Sequence, residues 1–216
     1  MKPHEKYFVT GWHHSGTTIL QHSIALQLGI PIDSRLREGF FRYKWVPDRV
    51  CKVPSNHPKF IDEMRKIMTD KKEDIHVVIL IRDANELISS IHRRHSNKEL
   101  PLVLSKYIKR EIENYTKVLK FLVDVFTKSY NNYTVVELRS FAQDPISHLK
   151  RLGFKNPLLI EKTSNKERPK DMKHGDLRQW QTRQGINEDV IKPAINSYAE
   201  VLDIEKYHAI LKSKSY

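Results

Sequence analysis

The run His76-Val77-Val78-Ile79-Leu80-Ile81 is β-branched, apolar and unbroken by any polar alternation. A strand with one wet face alternates apolar and polar residues. An unbroken run must be covered on both faces, which calls for a parallel sheet with helices above and below. Tyr7–Thr10 and Tyr133–Leu138 have the same character, and Arg49–Val53 is a weaker fourth strand candidate. Helical patterns lie between and after them. They are Thr17–Leu28, stopped by Gly29-Ile30-Pro31, then Phe60–Met68, Ala84–His95, Leu102–Lys128, Pro145–Leu152 and Glu188–Leu202. The alternation predicts an α/β chain with a mainly parallel central sheet and helices on both faces. No repeat or linker divides residues 1–216, so a single domain is expected.

The first strand runs into Gly11-Trp12-His13-His14-Ser15-Gly16-Thr17-Thr18. A strand, a glycine-bounded loop and a helix start make an anion cradle. Backbone N–H groups turn inward, the helix presents its positive end, and the Thr17 and Thr18 hydroxyls add donors. This gives the fold its P-loop-like, three-layer character. The lysine of a nucleoside triphosphatase loop is missing, because Gly16 is followed by Thr17. The cradle is therefore expected to hold a phosphate other than the γ-phosphate of ATP with Mg²⁺.

Composition narrows the partners. The chain has 216 residues, 38 Lys and Arg against 26 Asp and Glu, and a net charge of +12. Anionic partners are favoured, yet the basic residues are spread out and form no nucleic-acid module, so nucleic acid is not expected. No apolar run approaches the ~18 residues that span a membrane. Met1–Lys6 leads straight into the first strand, which leaves no room for a signal peptide, and Cys51 is the lone cysteine. A soluble protein of the reducing cytoplasm is expected. His92-x-x-His95 offers a pair of imidazoles with no third ligand, so no metal is expected.

A second constellation follows the best strand: Arg82-Asp83, Ser90 and Arg94. Arg82 stands at a strand's carboxyl end, where open α/β sheets bind ligands. Positions 90 and 94 share a helix face, so two guanidinium groups and a hydroxyl can converge on one phosphate. The plainer alternative is a strand-end salt bridge between Arg82 and Asp83 and a solvated helix end at Arg93-Arg94.

Taken in order, these segments resemble the sulfotransferases that use 3′-phosphoadenosine 5′-phosphosulfate (PAPS). The motifs are Gly-x-x-x-Ser-Gly-Thr-Thr and strand-Arg-Asp-x-x-x-x-x-x-Ser-x-x-x-Arg. They are joined by Glu137-Leu138 with Asp144-Pro145 and Leu152-Gly153-Phe154, and by Lys170 through Trp180 with Gly175-Asp176-Leu177-Arg178-Gln179-Trp180. The bacterial and tyrosylprotein-sulfotransferase-like branch is the most similar in flavour. The resemblance covers Tyr7 to about Tyr207. It implies that Gly11, Trp12, His13, His14, Ser15, Gly16, Thr17 and Thr18 cradle the 5′-phosphosulfate. It further implies that Arg82, Ser90 and Arg94 hold the 3′-phosphate, and that Lys170 belongs to a loop closing over the nucleotide. The implied reaction is metal-independent transfer of a sulfuryl group to a hydroxyl or amine acceptor, whose identity no motif encodes. The product is 3′-phosphoadenosine 5′-phosphate (PAP). Two rival functions are a P-loop phosphotransferase using ATP and a non-catalytic nucleotide- or polyanion-binding module.

His14 stands where most members carry Arg or Lys. Either a protonated His14 meets the leaving phosphate, or Lys52 supplies that charge from the second strand. Lys52 also matches a family lysine near the transferred group. The acceptor's proton needs a base. Glu38, in Arg35-Leu36-Arg37-Glu38-Gly39-Phe40, lies in the region where the tyrosylprotein-like branch places a catalytic Glu, and His57 is its competitor. Trp12 has two open roles, stacking on an adenine or packing in the core.

Overall fold

The computed structural model describes residues 3–4, 6–13, 15–30, 49–69, 74–84, 86–87, 101–159 and 200–214, with the backbone alone described over 101–108 and 200–202. Four strands form one parallel sheet in the order β2-β1-β3-β4. They are β1 (Lys6–Gly11), β2 (Val50–Pro54), β3 (Ile75–Ile81) and β4 (Tyr133–Glu137). The ladder aligns Gly11 with Pro54 on one side and with Leu80 on the other, and Ile81 with Glu137. All four carboxyl ends therefore emerge along one edge.

The expected burial on both faces is met. All seven residues of β3 are buried. Its side chains alternate between two cores: Val77, Ile79 and Ile81 face one, and Val78 and Leu80 the other. The first core is closed by α2 (Phe60–Thr69), α3 (Pro101–Phe121) and α6 (Glu200–Ser213). The second is closed by α1 (Thr17–Gln27), α4 (Leu138–Gln143) and α5 (Pro145–Arg151). The fold is thus three-layered α/β, as the alternation predicts.

Several boundaries differ from the expectation. The apolar run Tyr133–Leu138 does not end as a strand. Leu138 opens α4, which the sequence pattern missed, and Asp144 then starts α5 by accepting the Ser147 N–H at 3.0 Å ahead of Pro145. The long helix expected over Leu102–Lys128 is interrupted by a π-helical segment, Leu122–Phe126, before a last turn at Thr127–Ser129. The final helix runs on to Ser213, whereas the pattern had it ending at Leu202. Residues 188–199 and 162–175 lie outside the described residues, as do 88–95 of the helix expected after β3.

Candidate functional site

The strand order places the site. β1 leads through α1 to β2 on one side, and β2 leads through α2 across to β3 on the other. Connections therefore diverge between β1 and β3. Such a switch point leaves a crevice at the carboxyl ends of the strands, where open α/β sheets take ligands. The glycine loop leaves β1 there, and Arg82 leaves β3.

Two glycines shape the loop. A Cβ at Gly11 would lie 2.4 Å from Leu80 O and 2.6 Å from Ser15 Oγ, so a bare backbone is needed between β3 and the loop. Gly16 has φ +96° and would drive a Cβ to 2.6 Å from Leu138 Cδ1. A left-handed residue tucked against a leucine admits only glycine. Helix α1 then begins without a side-chain cap, and its first bonds to Gly16 O come from Ile19 N at 3.1 Å and Leu20 N at 3.3 Å. The N–H groups of Gly16, Thr17 and Thr18 precede them and are the donors an uncapped helix start offers an anion. Ser15 lies inside the loop and is fully buried. Its N–H donates to Trp12 O at 2.9 Å, which closes a turn, while its fully buried Oγ has no hydrogen-bond partner. A buried, unsatisfied hydroxyl in a cradle is a polar group in want of a ligand.

Lys52 approaches from β2. It is buried, and its Nζ donates to Thr18 Oγ1 at 2.7 Å. An ammonium thus sits at the helix start, delivered by the neighbouring strand instead of by the residue after Gly16. Its field reaches His22 on α1. Burial first, and the Lys52 charge second, lower the His22 pKa to about 4. Ser55 follows β2, with its N–H bonded to Gly11 O at 2.9 Å and its buried Oγ also without a partner.

Trp12 is resolved between its two roles. Its side chain is 1% exposed and packs on Tyr115 with ring centroids 4.6 Å apart. The indole belongs to the core beneath the loop, and the stacking role is corrected. Arg82 is engaged at the strand end by Glu86. Its Nε donates to Glu86 Oε2 at 3.3 Å, and Arg139 Nη2 donates to Glu86 Oε1. Asp83 is occupied in starting the next helical turn, where its Oδ1 accepts the Glu86 N–H at 3.0 Å. Glu86 and Arg139 are site-edge residues that the sequence reading missed. The i,i+4 spacing of Arg82 and Glu86 was a usable signal, whereas nothing local marks Arg139.

His57 lies on the turn after β2, half-buried, with Nδ1 accepting the Lys59 N–H at 3.2 Å. In the neutral ring that bond leaves the proton on Nε2. His13 is half-buried in the loop. Glu38, His14, Ser90, Arg94 and Lys170 lie outside the described residues. Among the described residues, no helix is long and apolar enough to cross a membrane.

No family model matches the chain, and no curated protein matches it. Among solved structures it is similar to mouse sulfotransferase SULT7A1 complexed with PAP, with a TM-score of 0.46 at 10% identity over 96% of this chain and 90% of that one.

Proposed function

We propose that this protein is a PAPS-dependent sulfotransferase of the bacterial and tyrosylprotein-like branch, working in a reducing compartment without a metal. The observation that carries the reading is the placement of the cations at the switch point. A nucleoside triphosphatase cradle takes its lysine from the loop itself. Here Thr17 holds that position and Lys52 reaches Thr18 from β2. A second cation, Arg82, leaves β3, two strands from the β2 that carries Lys52. That spacing suits a nucleotide with a second, separate phosphate, which PAPS has and ATP lacks.

The residues present fit such a ligand. The N–H groups of Gly16, Thr17 and Thr18 and the orphaned Ser15 hydroxyl suit the 5′-phosphate end. When bound, PAPS supplies the sulfuryl group and a bisphosphate that leaves with its charge. Lys52 stabilises that charge beside Thr18, and His14, when protonated, adds to it. Arg82, Ser90 and Arg94 hold the 3′-phosphate, with Lys170 on a closing loop. Glu38 takes the acceptor's proton. A His57 whose Nδ1 accepts a backbone N–H has its proton on Nε2, the nitrogen that a base would need bare. The acceptor is a hydroxyl or amine of unassigned class.

Calorimetry tests the reading. PAP without metal should bind, and Arg82→Ala should weaken it by about 2–4 kcal/mol, the worth of a charge-assisted contact. Thermal stabilisation by ATP with Mg²⁺ but not by PAP would make the protein a phosphotransferase. PAP binding with no sulfuryl transfer from labelled PAPS to phenols, sugars, lipids or peptides, and no hydrolysis, would make it a binding module.

A further inference from the structure

Beyond the cradle, the carboxyl edge carries a second arrangement on β3 and β4. Glu137 ends β4 in register with Ile81 of β3, so Arg82 and Arg139 emerge from adjacent strands. One carboxylate joins them. Glu86 Oε2 accepts from Arg82 Nε at 3.3 Å, and Glu86 Oε1 accepts from Arg139 Nη2. The Glu86 side chain is 11% exposed and that of Arg139 is 61% exposed. Asp83 fixes the base of the arrangement by capping the turn that carries Glu86.

An exposed arginine bound to one carboxylate oxygen contributes little stability. It does retain most of the five donors of a guanidinium, in a fixed plane. The corner also holds Lys212, bound to Glu137 at 3.0 Å. Among the described residues, three cations thus stand with Asp83, Glu86 and Glu137, so these charges balance. An anion would be recognised there by donors in the right places rather than by bulk field. A carboxylate that engages an N–H of each arginine brings the two guanidinium groups to one place, where an anion can meet both.

We propose that Arg139 is a further ligand of the 3′-phosphate beside Arg82, and that Glu86 is the positioning residue that sets Arg82 and Arg139 for it. The proposal rests on the nucleotide assignment above. It adds a residue from β4's side of the crevice and gives a role to a nearly buried carboxylate that would otherwise only subtract positive charge.

Charge and positioning predict opposite signs, which makes the test decisive. Affinities for PAP and for AMP, which lacks the 3′-phosphate, are measured by calorimetry on the full chain. Arg139→Ala, at an exposed position, should weaken PAP about tenfold and leave AMP unchanged. Arg139→Lys should recover only part of that loss, because the planar fork is gone. Glu86→Gln should also weaken PAP about tenfold with AMP unchanged, although it makes the corner more positive. A wild-type ratio of PAP to AMP affinity in both Arg139→Ala and Glu86→Gln overturns the proposal. Tighter PAP binding in Glu86→Gln overturns the positioning role, since Glu86 is then a mere counter-charge. If the wild type does not prefer PAP, or Arg82→Ala leaves that preference intact, the 3′-phosphate assignment itself falls and takes this inference with it.

Discussion

Three buried histidines on three different elements should make the fold sensitive to mild acid. His22 on α1, His76 in β3 and His208 on α6 are 8%, 7% and 7% exposed. Burial lowers each pKa from 6.5 to about 4, with Lys52 adding to the effect at His22 and Lys212 at His208, and with an Asn132 hydrogen bond opposing it at His76. The sign follows from which state binds the proton. Above pH 6.5 all three are neutral in both states and cost nothing. As pH falls below 6.5 the unfolded chain takes up protons that the folded chain refuses until about pH 4, so stability falls through that window. Each group then contributes a loss of about 1.4 kcal/mol per pH unit, so three give about 4 kcal/mol per unit in mid-window. From pH 7 to pH 5 the loss is roughly 5 kcal/mol, comparable with the whole stability of many domains. Urea unfolding at pH 7, 6 and 5 measures it. His208→Gln can still bond the Tyr115 hydroxyl, which lies 2.8 Å from His208 Nε2, and should flatten the slope by about one third. A stability at pH 5 within about 1 kcal/mol of that at pH 7 would refute the reasoning, because even one such histidine costs more.

Lys52→Met removes the ammonium beside His22 and Thr18, so the His22 pKa should rise from about 4, read by NMR titration of the imidazole, while PAP affinity falls at least tenfold. An unmoved His22 titration would show that Lys52 does not act on the α1 start in solution. Glu38→Gln should cut sulfuryl transfer by about 10²–10⁴-fold with PAP affinity near wild type. Turnover that survives in Glu38→Gln but collapses in His57→Ala, with PAP binding intact in both, would make His57 the base.

The sheet was legible because its strands are buried on both faces, and double burial leaves an apolar run that no helix face or wet strand imitates. β3 shows this best, with all seven positions covered. β2 was a weaker signal because Lys52 interrupts it, and that lysine is buried with its ammonium on Thr18 of another element. The end of β4 was misread for the opposite reason. Leu138 continues the apolar run, yet it belongs to a helix, packed beneath Gly16 where a Cβ would strike it. The π-helical segment could not be seen locally either. Thr127 N–H bonds Leu122 O, five residues back, and Val123 O receives the Thr127 hydroxyl at 3.0 Å and the Lys214 ammonium at 3.3 Å. Lys214 lies beyond the last helix, so its contribution is a tertiary one.

The site was legible in position more than in partnership. Strand-end placement alone marked the glycine loop and Arg82. What it could not show is that both described cations are already engaged, Lys52 by Thr18 and Arg82 by Glu86. The distinction bears on function. A cation held by a protein partner gives up part of its attraction for a ligand, but it has already lost the side-chain freedom that binding would otherwise remove, about 0.5–1.5 kcal/mol for each ordered side chain. Thr18 is neutral, so its bond orients Lys52 without offsetting the charge. Glu86 is charged, so Arg82 is oriented and partly neutralised together. Within the proposed function, Lys52 serves the end of the nucleotide that reacts, and Arg82 the 3′ end that identifies it.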